Sequence, residues 1–201
     1  MRYRDATDAD GDAVAAIIEA VFGEYDGCTF NRAAEFPDLD HVASAFADHE
    51  GGFWLAEDDA GRAVGCIGIT RTADPDTFEL HRLYVLPHAR GTGASARLLA
   101  QAIRHAREHG AHRIILWTDT RFHAGQRFYE RHGFVRLPGT RVLDDESMSQ
   151  EYRYVLSLDA ACPAGSALSA SRSSRSPSAD AGCGWPLRSI HGRHRTAAPR
   201  H

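Results

Sequence analysis

The sequence predicts an α+β fold: one globular unit followed by a compositionally distinct tail. Three observations predict it. Strand-like runs alternate with helical stretches in only part of the chain, a hairpin pattern lies in the first half, and apolar periodicity stops near residue 160. A doubly wound parallel sheet would place a helix after nearly every strand, and this chain does not offer one.

The elements read in order. "YRDAT" is a short strand, and Asp8 or Asp10 can cap a helix whose apolar face carries Val14, Ile17, Ile18 and Val21. A polar loop with "EYDG" and "EFPDL" follows, then a second helical stretch near His41 to His49. "FWLAEDDAGRAVGCIGIT" reads as two strands around a turn at Asp58 to Gly61. "TFELHRLYVLP" is the next strand, whose alternation places Glu79, His81, Leu83 and Val85 on one face and Leu80, Arg82 and Tyr84 on the other. Glycines 91 and 93 then open a helix with Leu98, Leu99, Ala102, Ile103 and Ala106 on one face, ending at Gly110. "HRIILWTD" is a buried strand, "AGQRFYERHGF" a short helix closed by Gly133, and "EYRYVLSL" a final strand.

Residues 160–201 turn to Ala, Ser, Arg, Gly and Pro and offer no apolar stripe able to offset ordering entropy, so they read as a disordered basic tail after a domain at 1–159. The tail holds six arginines against Asp180, a net +5, so with −4 for the whole chain residues 1–159 carry −9. All 23 basic residues are arginine. The four cysteines (Cys28, Cys66, Cys162, Cys183) form no C-x-x-C pair, which implies neither a zinc site nor a disulfide framework. His105 and His109 stand four apart without the glutamate of a zinc-protease helix and read as solvated, so no metal is expected. The polar, acidic start is no signal peptide and no apolar run is long enough to span a bilayer; a cytoplasmic protein with no membrane or nucleic-acid partner is expected.

The function-bearing stretch is "VLPHARGTGASARLL", 85–99. Glycines before a helix let backbone N–H groups close on an anion at the positive end of the helix dipole. A nucleotide P-loop needs a lysine, and the chain has none. Gly91 to Ala96 formally satisfies the dinucleotide pattern, with Asp119 ending the next strand. However, the preceding strand alternates rather than being buried on both faces, and five residues separate it from Gly91.

The same stretch resembles motif A of the GNAT superfamily of acyl-CoA-dependent N-acetyltransferases: a strand, a loop, R-G-x-G-x-G/A and a helix. The resemblance runs over 1–159. The "VGCIGI" strand is similar to the family's V-G strand, and "RFYERHGF" to its Y-E-k-x-G-F motif. Ser95 stands in the third Gly/Ala place, Phe122 where many members have Asn, and Gly125 where they have Ala. The resemblance implies a mixed, mostly antiparallel sheet with strands four and five splayed, and acetyl-CoA as co-substrate. It implies that the backbone of Leu83, Tyr84 and Val85 pairs with the pantetheine arm, and that Arg90, Gly91, Thr92, Gly93, Ala94 and Ser95 hold the pyrophosphate. Tyr129 is at the place of the family's general acid, and Glu79 is the candidate base, at an offset similar to the glutamate of histone-type members.

Transfer within a ternary complex to a primary amine is the expected reaction. The loop acids Glu24, Asp26, Glu35 and Asp38 suggest a small cationic acceptor such as a polyamine, an amino sugar or a basic amino acid. The alternatives are a non-catalytic acyl-CoA-binding module and a protein N-acetyltransferase. Homodimers are common in proteins of this kind.

Overall fold

The computed structural model describes residues 1–159; the predicted tail, 160–201, lies outside the described residues. Seven strands form one sheet in the order β1-β2-β3-β4-β5-β7-β6. In chain order they are β1 (Arg2–Asp5), β2 (Gly52–Glu57), β3 (Ala63–Arg71), β4 (Thr77–Val85), β5 (Arg113–Asp119), β6 (Val135–Val142) and β7 (Gln150–Ser157). All neighbours are antiparallel except β4 and β5. The helices are α1 (Gly11–Phe22), α2 (Arg32–Glu35), α3 (Val42–Ala47), α4 (Ala94–Glu108) and α5 (His123–Arg131). The fold is the mixed, mostly antiparallel α+β arrangement expected.

Each face of the sheet buries its own core. On one side the α1 residues Val14, Ile17 and Ile18 pack with Phe36, Phe46, Phe53 and Leu55. On the other, Leu98, Leu99, Ala102 and Ala106 of α4 pack on Phe78, Leu80, Ile114 and Leu116. Gly68 of the "VGCIGI" strand permits the first of these packings, since a Cβ there would stand 2.3 Å from the Phe46 ring. Asp8 and Asp10 do not cap α1 directly. The Asp10 carboxylate accepts from the Thr7 N–H and hydroxyl, bracing the turn before the helix, while Asp8 accepts from Ser44 on α3.

Two elements escape the sequence pattern. α2 is a single turn, capped by the Asn31 side chain on the Ala34 N–H. β6 is an edge strand with Pro138 and Gly139 in its middle, where its register with β7 shifts. Proline cannot donate to a ladder and is tolerated at such an edge, which also hides the strand from a reading based on alternation.

The alternation expected for β4 is also broken. Opposite the single residue Ile67 of β3 stand two residues of β4, between the pairs Cys66–Tyr84 and Gly68–His81. Arg82 takes the left-handed conformation (φ 54°) in this bulge. His81 and Arg82 consequently lie on the same side. The His81 ring is 5.7 Å from that of Phe46, and the Arg82 guanidinium lies 5.3 Å and 5.7 Å from the Phe36 and Phe46 rings. Parity reverses beyond them: Val85 joins Leu80 in the α4-side core, so Glu79 and His81 do not share a face with Leu83 and Val85 as the sequence suggested.

His105 corrects a further expectation. It is half-buried, packs edge-on to Trp54 and Phe78, bonds the Glu50 carbonyl and stacks on His109 at 4.0 Å. Burial lowers its pKa.

Candidate active site

β4 and β5 pair in parallel only from Thr77–Arg113 to Leu80–Leu116. Beyond Leu80 the bulge carries β4 away, and a cleft of about 1310 Å³ opens beside the parting strands. Both proposed catalytic residues line this cleft, as do all the expected cofactor residues except Thr92, Gly93 and Ala94, which lie on the same loop and helix start.

The loop before α4 is built to leave donors free. Gly91 and Gly93 have φ of 76° and 89°, conformations in which a side chain is strained, and a Cβ on either would meet open space. The Thr92 hydroxyl donates to the Ala89 carbonyl and fixes the turn. The Arg90 N–H is spent on the Pro87 carbonyl, but the N–H groups of Gly91, Thr92, Gly93, Ala94 and Ser95 have no partner among the described residues. Five successive free donors at the start of a 15-residue helix form an anion cradle. Ser95 offers a backbone N–H, so its departure from Gly or Ala leaves the row of free donors intact. These residues fit a pyrophosphate.

Arg90 is engaged within the protein. Its guanidinium makes two hydrogen bonds to the Glu24 carboxylate, at 2.7 and 2.5 Å, and its Nε donates to the Val85 carbonyl at 3.0 Å. It therefore clamps the end of β4 to the loop after α1. Of the loop acids read as acceptor contacts, Glu24 is spent on Arg90 and Asp38 on Arg82. Glu35 is buried, accepts from the Glu146 N–H and has its pKa raised by that burial.

Tyr129 projects from α5 into the same cleft. Its ring packs against Phe128, Phe134 and Tyr154 and is only 7% exposed, and its hydroxyl has no hydrogen-bond partner among the described residues. Burial pushes the phenol well above its ordinary value and so favours its protonated form. Tyr84, on the opposite face of β4 from Val85, packs edge-on against Phe22 and is likewise shifted upward by burial.

Glu79 lies before the bulge, paired in register with Thr70 of β3 and Ile115 of β5. It is half-buried, with no hydrogen bond or ion pair among the described residues. Burial raises its pKa; Arg141 and Arg153 pull it down, and Glu151 pushes it up. The far wall of the cleft comes from β5, β7 and β6. Its members include Trp117, under Arg141 at 4.0 Å and Arg153 at 5.7 Å, and Asp119, paired with Arg121. This wall was not legible in the sequence, because strand register alone assembles it.

The cleft is bridged at this end. The loop after α1 and the turn between β6 and β7 both line it and bond to each other: the Thr29 N–H donates to Ser147 Oγ at 2.8 Å, and Asn31 Nδ2 to Glu146 Oε1 at 2.5 Å.

Comparisons with known proteins bear on the fold and the family. The profile of the Acetyltransferase (GNAT) family matches residues 17–134. The chain is 32% identical over 138 residues to YjgM of Escherichia coli, named an uncharacterized N-acetyltransferase, covering 67% of this chain and 81% of that one. It is 40% identical over 82 residues to Rv2669 of Mycobacterium tuberculosis, likewise named an uncharacterized N-acetyltransferase, covering 41% of this chain and 51% of that one. Among solved structures, a GNAT-family acetyltransferase from Staphylococcus aureus superposes with a TM-score of 0.68 at 22% identity, over 79% of this chain and 99% of that one. YncA of Salmonella typhimurium, solved with its cofactor acetyl-CoA, superposes with a TM-score of 0.64 at 19% identity, over 83% and 98%. With the splayed strands, the free N–H row and the buried tyrosine in place, the chain belongs to the GNAT family of acetyltransferases.

Proposed function

We propose that this protein transfers the acetyl group of acetyl-CoA directly to the primary amine of a small acceptor in a ternary complex. The observation that carries the reading is the row of unpartnered N–H groups from Gly91 to Ser95, opening into the cleft that Tyr129 lines. Such a row suits the pyrophosphate of acetyl-CoA, and the β4 backbone at Leu83 to Val85, freed from β5, suits its pantetheine arm. A backbone N–H there would stabilise negative charge developing on the thioester oxygen.

Chemistry then needs three proton movements. The acceptor arrives as an ammonium ion and must lose a proton before its nitrogen bonds to the thioester carbonyl carbon. Glu79, unpaired and half-buried in the cleft, takes it, directly or through water. Once the carbon–nitrogen bond has formed, the nitrogen gives up its second proton to water; as the carbon–sulfur bond breaks, the leaving sulfur receives the Tyr129 hydroxyl proton, and the phenolate is reprotonated from that water. The products are an N-acetyl amine and CoA thiol. Ammonium binding beside Glu79 is what remains of the expectation of a cationic acceptor, since Glu24 and Asp38 are already ion-paired. The bridge over the cleft between residues 29–31 and 146–147 favours a small acceptor over a protein segment.

A thiol-release assay over a panel of amines, with wild type and Tyr129→Phe, tests the reading. The expected result is turnover by wild type and a loss of about 10²- to 10⁴-fold in kcat in the variant, with acetyl-CoA affinity retained. Acetyl-CoA binding with no turnover on any amine would instead indicate a non-catalytic binding module, and turnover on peptides alone a protein acetyltransferase.

A further inference from the structure

Beyond the β4–β5 splay, the face of the sheet on the α1 side is left open across β5, β7 and β6, and its register brings together side chains that neither the cofactor cradle nor Tyr129 uses. Glu79 pairs with Ile115, Ile115 with Val155, Trp117 with Arg153, and Asp119 with Glu151. Residues at odd positions of β5 thus share one face with Glu79, Arg153 and Glu151. Arg141 of β6 joins them, donating to Glu151 at 2.7 Å while stacking on Trp117.

The charges of this wall are mostly spent. Glu151 is held by Arg141, and Asp119 by Arg121. Arg153 and Glu79 are not: neither side chain has a hydrogen bond or ion pair among the described residues, and both line the cleft. Arg153 is exposed, and its guanidinium lies over Trp117 at 5.7 Å, where the indole orients the cation without neutralising it. A planar guanidinium on an aromatic shelf still has its donors free for a bidentate oxyanion. Strand spacing places the Cα atoms of Glu79 and Arg153 two strands across and two residues along, roughly 12 Å apart. With both side chains turned toward a ligand, that leaves room between their charged tips for a small molecule carrying an ammonium and a carboxylate group.

We infer that the acceptor is zwitterionic: an amino acid whose ammonium group is held by Glu79 and whose carboxylate is held by Arg153 on Trp117. The inference rests on the acetyl-transfer reading above but adds to it a binding subsite that plain amines cannot fill. It also explains why the wall carries arginines at a site that receives an ammonium ion. Arg153 is here a specificity-determining residue and takes no part in bond making.

Matched pairs of acceptors test it: L-leucine against 3-methylbutylamine and L-phenylalanine against 2-phenylethylamine, which differ only in the carboxylate. Thiol release reports turnover, and calorimetric titration of each acceptor into CoA-saturated protein reports binding whether or not turnover occurs. The expected result is at least tenfold tighter binding and higher kcat/KM for at least one amino acid over its amine. Arg153→Ala should erase that advantage through KM and leave acetyl-CoA affinity unchanged, while the rate on the plain amine should change only through the pH limb of Glu79, so the two proteins are compared above that limb; Arg153→Lys should restore part of the advantage. Equal or tighter binding of the plain amines, or an amino-acid preference that survives in Arg153→Ala, would overturn the proposal. Amino-acid binding lost in Arg153→Ala, but without thiol release by any amine, would uphold the subsite and sink the acetyl-transfer reading instead.

Discussion

Arg82 and Asp38, separated by 44 positions, are joined by two hydrogen bonds of 2.5 and 2.7 Å, and both side chains are largely buried. Arg82 sits at the left-handed residue of the β4 bulge, and Asp38 in the turn between α2 and α3. The ion pair therefore ties the point where β4 leaves β5 to the turn between α2 and α3. Removing one partner leaves a buried charge without its counterpart, which costs about 3–5 kcal/mol. Asp38→Ala should unfold at markedly lower denaturant concentration, by roughly that free energy, with acetyl-CoA binding weakened as the bulge relaxes. A chemical-denaturation curve matching wild type would show that the pair does not hold the bulge.

That bulge also marks the boundary of what could be read from the sequence. The helix after the glycines and the hairpin around Asp58 to Gly61 were legible, because period and turn chemistry agree with the final packing. The loop proposed for the cofactor was legible because it is local: the free N–H groups of Gly91 to Ser95 fall within five successive residues. The wall proposed to receive the acceptor was not, because Trp117, Arg153 and Arg141 come from three strands and meet Glu79 only through register. Nothing local announces an arginine at positive φ, so the β4 faces were assigned by an alternation that fails at Arg82. The partners Glu24 and Asp38 looked like free acids for the same reason: their arginines are distant in sequence.

The two glycines of the cofactor loop make a second prediction. A Cβ at Gly91 would touch no protein atom, so the cost of Gly91→Ala is the left-handed backbone alone, about 1–2 kcal/mol. That Cβ projects into open space at the row of free N–H groups, where the pyrophosphate is proposed to lie. Acetyl-CoA affinity should consequently fall by more than the stability loss explains. Calorimetry beside a denaturation curve separates the two effects, and a variant with unchanged affinity would place the anion elsewhere.

Arg90 supports a third. Its charge is balanced by Glu24, so it acts mainly as a clamp between β4 and the loop after α1. Both side chains are partly exposed (42% and 31%), which limits the coupling of the pair to about 0.2–1 kcal/mol. A double-mutant cycle of Arg90→Ala and Glu24→Ala should return a value in that range. Arg90→Ala should weaken acetyl-CoA binding less than Gly91→Ala does; the opposite order would mean that the guanidinium leaves Glu24 for the phosphate.

Glu79 sets activity and stability against each other. Burial raises its folded-state pKa, with Arg141 and Arg153 pulling down and Glu151 pushing up. A base works only when unprotonated, so kcat/KM should fall as the pH drops through this raised value, on a limb above the ordinary glutamate pKa of about 4.3. Arg153→Ala, by removing a favourable cation, should move that limb to higher pH, and Glu79→Gln should abolish it along with most of the turnover. Stability runs the other way. Because the native state binds this proton more tightly than the unfolded chain, the contribution of Glu79 is fully present below the unfolded pKa and is lost as pH rises through the folded one. Glu79→Gln cannot ionise, so its melting temperature should exceed that of wild type at neutral pH, and the gain should vanish in acid. Melting curves at matched pH values for the two proteins check the sign, and a variant less stable than wild type at neutral pH would mean that the Glu79 carboxylate is stabilised in the cleft.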